Sequence, residues 1–110
     1  MEEMLYSVVF WCPLRPPTGI DELLESESIG SLMGRVEKGQ ASGLVQDVDE
    51  LAGAFGVWGK GAWPRFREES FVIFQYLAGC SETLKEFVKE LRLRGFGPYN
   101  ISYSSGKVRV

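Results

Sequence analysis

The sequence predicts one α+β domain, residues 1–110, with a single sheet and helices on one face. Its length is that of one domain. Two runs, Leu5–Cys12 and Phe71–Ala78, are dense in β-branched and aromatic residues, which is typical of central strands. Stretches with apolar residues at helical spacing follow each run. We therefore expect helices packed against a sheet built around these two strands.

The region after the first strand predicts interrupted helices. Pro13 ends the strand, because proline cannot donate to a β ladder. Apolar residues then recur at helical spacing, with a slip in phase near Ser26–Ser28 that predicts a break. Gly39–Gly43 is typical of a turn, and Leu44–Phe55 forms a further amphipathic stripe.

The remaining elements complete a recognisable order. A short strand at Phe55–Trp58 precedes the second central strand, and a helix follows from Ser81. Two terminal strands, Tyr99–Tyr103 and Lys107–Val110, are predicted to form a hairpin through the turn Ser104–Gly106. The order matches the β-α-β-β-α-β ferredoxin-like pattern, with a broken first helical region and a C-terminal hairpin. No sequence motif supports this topology, and the fold hosts many unrelated functions.

The reactive side chains exclude several chemistries. Histidine is absent, so no imidazole base is available for nucleophilic catalysis. Cys12 and Cys80 lie far apart and form no C-x-x-C pair, so we expect neither a metal site nor a cofactor. The predicted strand arrangement places the two cysteines at opposite ends of the sheet, too far apart for a disulfide. A non-catalytic role is favoured over an enzymatic one.

The termini and composition indicate a cytoplasmic protein with no membrane association. The N-terminus is acidic, unlike a signal peptide, and the longest apolar run, Val8–Cys12, is too short to span a bilayer. Asparagine occurs once and glutamine three times, and this scarcity of thermolabile residues hints at a thermophilic source.

Charge is distributed unevenly along the chain. Residues 1–55 hold ten acidic and three basic side chains, a sum of −7, whereas residues 56–110 hold nine basic and five acidic ones, a sum of +4. Such asymmetry can mark a basic binding face or complementary faces that drive self-association, or it can reflect solvated helix faces.

The segment Val57–Arg67 interleaves aromatic and basic side chains among glycines. Aromatic faces stack on unpaired bases while cations neutralise phosphates, which is typical of a single-strand RNA contact. Tryptophan and arginine are also enriched at protein interfaces, and the tryptophans could instead fold back as a small core. The candidate binding residues are Trp58, Lys60, Trp63, Arg65, Phe66 and Arg67.

These observations lead to a binding hypothesis. We expect a non-catalytic binding module, a small subunit that contacts RNA or a protein partner through the Trp/Arg/Lys-rich loop. Surplus apolar surface on the sheet predicts a homo-oligomer. The alternative is a small enzyme or small-ligand sensor with a pocket near the same loop, working without histidine.

Overall fold

The computed structural model describes residues 2–14, 29–66 and 70–109. Each pair of neighbouring strands is antiparallel, and the strand order is β2-β3-β1-β4. This is the ferredoxin-like arrangement, so the predicted α+β fold class is confirmed. The elements are β1 (Glu2–Pro13), α1 (Ile29–Phe55), β2 (Trp58–Arg65), β3 (Phe71–Ala78), α2 (Ser81–Leu93) and β4 (Tyr99–Arg109).

The hydrophobic core lies between the two helices and one face of the sheet. Phe10 of β1 stacks on Phe74 of β3 at a centroid distance of 5.5 Å, and Phe87 of α2 meets Phe10 edge-on at 6.0 Å. From α1, Val48 is fully buried in the same cluster. Alternate strand residues supply the sheet side of this core, as a period of two requires.

The first described helix is continuous, and the predicted turn at Gly39–Gly43 is wrong. Both glycines lie within α1. The apolar spacing runs through them, because Ala41, Leu44 and Val48 all pack into the core. Each glycine costs a helix about 1 kcal/mol, and this packing outweighs that cost. The predicted break near Ser26–Ser28 lies outside the described residues.

The C-terminal hairpin is also wrong, because β4 is one unbroken strand. The serines and glycine expected to turn the chain instead pair with β1: Ser104 lies opposite Ser7, and Gly106 opposite Leu5. β1 begins at Glu2 and so offers a partner along nearly the whole length of β4. Pairing with the long neighbouring strand therefore outweighs the local turn propensity of these residues, and the chain stays extended.

From Trp58 to Arg65, the segment predicted to be a Trp/Arg/Lys-rich loop is the edge strand β2. Trp58–Arg65 pairs with β3, and Phe55, expected to begin a short strand, ends α1 instead. A bulge between Gly59 and Gly61 takes up Lys60. Pro64 is tolerated because, among the described strands, β2 has a neighbour on one side only.

The two cysteines are free, in agreement with the sequence prediction. Cys12 pairs with Val72 at one end of β3, whereas Cys80 follows Ala78 at the other end. Burial raises the pKa of the Cys12 thiol to about 12. In the described ranges, no helix is both long enough and apolar enough to cross a membrane.

Candidate binding surface on the open sheet face

The sheet face turned away from the helices is apolar as well. Antiparallel sheets with one covered face usually alternate apolar and polar residues. Here Val9 and Trp11 of β1, and Ile73 and Leu77 of β3, occupy the alternate positions and are only half-buried. Within the ranges given above, both helices pack on the opposite face, against the buried cluster.

We call this surface the open face and define it by strand register. Its members are Glu3, Leu5, Ser7, Val9, Trp11, Pro13, Trp58, Gly61, Trp63, Arg65, Phe71, Ile73, Gln75, Leu77, Tyr99, Ser102, Ser104 and Gly106.

A row of large side chains crosses the open face from one edge strand to the other. Trp63, Ile73, Trp11 and Tyr99 are consecutive register partners on β2, β3, β1 and β4. Trp11 stacks on Phe71 with a centroid distance of 4.5 Å and an interplanar angle of 7°. Tyr99 meets Trp11 edge-on at 5.6 Å. We call these five residues the aromatic row. Four of them lie at one level of the sheet, where β3 contributes the aliphatic Ile73, and Phe71 comes from the neighbouring position on the same face of β3.

The place of Tyr99 in the aromatic row depends on a bulge in β4. The register shifts between Val9 and Trp11, where β4 carries an extra residue. Asn100 sits there with a φ of 51°, in the left-handed region that asparagine tolerates better than most residues. The bulge puts Tyr99 on the open face, while Ile101 packs against the core on the other face.

Trp63 is held in position by the absence of a side chain at Gly61. A Cβ built on Gly61 would lie 2.6 Å from Cζ2 and 2.7 Å from Cη2 of Trp63. The indole therefore lies over the Gly61 backbone, along β2. This contact leaves Trp63 40% exposed.

The Gly61→Ala substitution should displace the Trp63 indole without unfolding the domain. The new methyl would occupy the space of the ring, and an exposed indole can rotate away at a cost of about 1 kcal/mol. We expect a change in tryptophan fluorescence and in near-UV circular dichroism. Gly59→Ala is the matched control, because its Cβ would lie at an ordinary 3.5 Å from Tyr76. Equal spectra for the two variants would contradict this packing.

The structure brings together only some of the residues predicted from sequence. Trp58, 57% exposed, lies on the open face with Trp63 and Arg65. Lys60 lies in the bulge and is exposed. Phe66 is 41% exposed and lines a cleft beside α1 instead. The sixth candidate, Arg67, lies outside the described residues.

Sequence reasoning missed Trp11, Phe71 and Tyr99, which it assigned only to strands. A signal was present: Trp11 and Phe71 occupy the alternate positions of runs whose other residues also are apolar. In a sheet with helices on one face only, one of the two sets has to lie on the uncovered side. Tyr99 could not have been found this way, because its face depends on the bulge at Asn100.

The basic half of the chain does not form one surface with the aromatic row. Lys85, Lys89, Arg92 and Arg94 lie on or at the end of α2, in the layer on the far side of the sheet. Lys85 also lies 3.8 Å from the Glu82 carboxylate. On the open face Arg65 contributes a cation, and its guanidinium donates to the Pro64 carbonyl at 3.0 Å.

A cleft of ≈ 480 Å³ lies beside Phe66, between α1 and the end of β2. The described part of its lining is mostly apolar and includes one ionisable group, Lys38. No group of three or more potential metal ligands occurs within the described ranges. The cleft lining residues are Lys38, Ala41, Ser42, Val45, Pro64 and Phe66.

One polar pair joins the helix layer to the sheet. The Tyr76 hydroxyl donates a hydrogen bond to the Asp49 carboxylate of α1. Burial, and then the Asp49 hydrogen bond and charge, raise the pKa of Tyr76 well above its usual value. The phenol therefore stays protonated and serves to anchor α1 to the sheet.

Alkaline pH should destabilise the domain through Tyr76. The unfolded phenol ionises near 10.0, whereas the buried one keeps its proton. Tyr76 therefore makes its whole contribution to the free energy of unfolding below pH 10. Above pH 10 this contribution falls, by at most about 1.4 kcal/mol per pH unit. Urea unfolding between pH 8 and 11 measures this slope. Tyr76→Phe should show a shallower slope, and an unchanged slope would contradict the assignment.

Comparison with known proteins supports no assignment to a family. The chain matches no protein-family model and no curated protein. Solved structures that resemble it include the de novo designed protein Foldit4, with 10% identity, a TM-score of 0.48, and coverage of 100% of this chain and 99% of that one. The C-terminal domain of the MgtC protein from Mycobacterium tuberculosis has 14% identity, a TM-score of 0.47, and coverage of 94% and 88%. A putative PII-like signaling protein from Thermus thermophilus has 16% identity, a TM-score of 0.42, and coverage of 97% and 88%.

These likenesses are too distant to carry an argument about function. What the topology and the site define is a class: a ferredoxin-like α+β domain whose uncovered sheet face carries a row of large apolar side chains.

Proposed function

We propose that this chain is a non-catalytic protein-binding module and that the open face is its binding surface. The observation that carries the proposal is the apolar character of both sheet faces, of which the described helices cover one. Large contiguous apolar patches on a protein surface mark interaction sites. The aromatic row also has the composition of an interface centre, where tryptophan, tyrosine and phenylalanine are enriched.

A protein partner is favoured over RNA by the distribution of charge. A row of aromatic side chains across a four-stranded sheet is also suited to stacking on bases. Single-strand binding, however, needs a basic groove that follows the backbone. Arg65 lies on the open face, but the four basic residues of the α2 region lie in the opposite layer. RNA binding is therefore the competing hypothesis, and the experiment below distinguishes it from protein binding.

The alternative from sequence, a small enzyme or ligand sensor, would use the cleft beside Phe66. That cleft is close to β2. Among the described residues, its lining supplies Lys38 but no second ionisable group with which Lys38 could share acid–base work. The Tyr76–Asp49 pair is also poorly suited to proton transfer, because a raised phenol pKa keeps the proton in place. We therefore favour the binding module.

Site-specific photo-crosslinking in an extract of the source cells tests the proposal. A benzophenone amino acid replaces Gln75, at the middle of the open face, or Lys89, on the exposed side of α2. We expect protein adducts from the Gln75 position and none of comparable yield from Lys89. Ile73→Lys, one alternate position away on β3, should abolish the Gln75 adduct because it places a charge in the apolar surface.

Three outcomes would overturn the proposal. Adducts that contain RNA would assign the open face to nucleic acid. Equal adducts from Gln75 and Lys89 would show non-specific capture. No adduct from Gln75 would leave the open face without a partner.

Self-association, cytoplasmic location and a thermophilic source remain predictions. The first of these is a particular case of the proposed function, since a second copy is itself a protein partner.

A further inference from the structure

We propose that the occupant of the open face is a second copy of this chain, packed face to face about a twofold axis parallel to the strands. This inference rests on the proposed function, because it names the partner of the same surface. It also accounts for a feature that the proposed function leaves unexplained, namely the opposite sizes of the side chains that the two edge strands carry at the level of Trp58.

The two edge strands of the open face carry side chains of different size. β2 carries Trp58 and Trp63, both well exposed. β4 carries Ser104 at the level of Trp58, with Ser102 and Gly106 on either side of it, but it carries Tyr99 at the level of Trp63. The Ser7 and Ser104 hydroxyls are 2.5 Å apart and hydrogen-bonded to each other, so they lie low against the sheet.

A twofold axis along the strands, between β3 and β1, matches a large side chain with a small one at the level of Trp58. It places β2 of one copy over β4 of the other, and β3 over β1. Trp63 then faces Tyr99 of the partner subunit, which pairs two aromatic side chains. The indole of Trp58 faces Ser104 of the partner subunit, and the twofold repeats this contact on the other side. Such large-against-small pairing is how two sheet faces interdigitate. Symmetric pairing of this kind is also the commonest form of small oligomer.

The size of the open face suits a dimer. Four strands about 4.8 Å apart and eight residues long at about 3.3 Å per residue cover roughly 500 Å² in plan. Two copies would thus bury roughly 1,000 Å², an area at the lower end of the range for specific interfaces. This figure treats the sheet as flat and leaves out the surface of the protruding side chains. Large indole and phenyl groups raise this figure further.

Charge does not oppose the pairing at the centre of the open face. Glu3 of β1 is exposed on this face too, but it lies at the end of the sheet, beyond the last residue of β3. Arg65 lies on β2, at the end of the face where Phe71 begins β3. The proposed axis carries the two copies of Arg65 to opposite sides of the dimer, so that no like charges meet at its centre. Because the contact is apolar, the dissociation constant should change little between 50 mM and 500 mM salt.

Sedimentation equilibrium across 1–500 μM tests this inference. It compares two serine-to-glutamate variants in β4 whose side chains lie on opposite faces of the sheet. Ser102 lies on the open face opposite Val9, and Ser105 lies on the other face, opposite Tyr6. Both are exposed. We expect a dimer for the wild type and for Ser105→Glu. Ser102→Glu should raise the dissociation constant at least tenfold, because it places a carboxylate under the β2 tryptophans of the other copy.

A monomer throughout this range, or a dimer that both variants weaken equally, would overturn the inference. A dimer unaffected by Ser102→Glu would also overturn it, because the interface would lie elsewhere. The proposed function fails separately. If the chain is monomeric but the Gln75 crosslinker captures a different protein, the open face is a binding surface for another partner. If the chain is monomeric and no adduct forms, both proposals fail.

Discussion

Replacing Phe10 with alanine is expected to lower the free energy of unfolding by about 3–5 kcal/mol. Phe10 is fully buried at the centre of the aromatic core, where its ring meets those of Phe74, Tyr76 and Phe87. Truncation removes these contacts and leaves a cavity that close-packed neighbours cannot fill. The measurement is urea unfolding followed by far-UV circular dichroism. Since a small domain has only about 5–15 kcal/mol to lose, Phe10→Leu serves as a milder variant if Phe10→Ala does not fold.

The control for this prediction is Leu93→Ala. Leu93 is 72% exposed at the end of α2, so its truncation should change the free energy of unfolding by less than about 0.5 kcal/mol. Similar losses for Phe10→Ala and Leu93→Ala would contradict the position of the core between the helices and the sheet.

Replacing Trp63 with alanine is expected to weaken partner binding at least 30-fold. A hot-spot residue at an interface costs about 2 kcal/mol or more when truncated, and 2 kcal/mol corresponds to a factor of about 30. Trp63 has the exposure and position for this role, because it ends the aromatic row on β2 and lies flat over Gly61. The readouts are the dissociation constant of the dimer and the yield of the Gln75 adduct.

Phe66→Ala is the matched control for Trp63→Ala. The two side chains are almost equally exposed, at 41% and 40%, and lie three positions apart. Phe66, however, lines the cleft on the α1 side of the sheet. Binding should survive its truncation. A loss confined to Phe66→Ala would move the functional surface to that cleft and would favour the small-ligand alternative.

The order of elements could be predicted from the sequence because the signals for it are local. Leu5–Cys12 and Phe71–Ala78 have the composition of central strands, and the helical stripe around Leu84 and Leu91 has its own period. Errors arose where a local signal competed with a distant partner. Glycines within α1 and the Ser104–Gly106 segment in β4 each resemble a turn, but packing and strand pairing outweigh turn propensity there.

The candidate site was half predictable, for a similar reason. Trp58, Trp63 and Arg65 stood out because aromatic and basic residues alternate on a glycine-rich segment. Their partners Trp11 and Phe71 have the composition of ordinary core residues. Which of the two apolar strand faces the helices cover cannot be read from alternation when both faces are apolar.

The sequence by itself determined the α+β class, the two central strands, the separation of the cysteines and the absence of imidazole chemistry, because each depends on residue identity or on a local period. The tertiary structure decided that the aromatic–basic segment is an edge strand and not a loop. It also placed Trp63, Ile73, Trp11 and Tyr99 in one row. These residues come from four strands, and what joins them is the antiparallel register, which is set by long-range pairing together with the bulge at Asn100 and the glycine under Trp63.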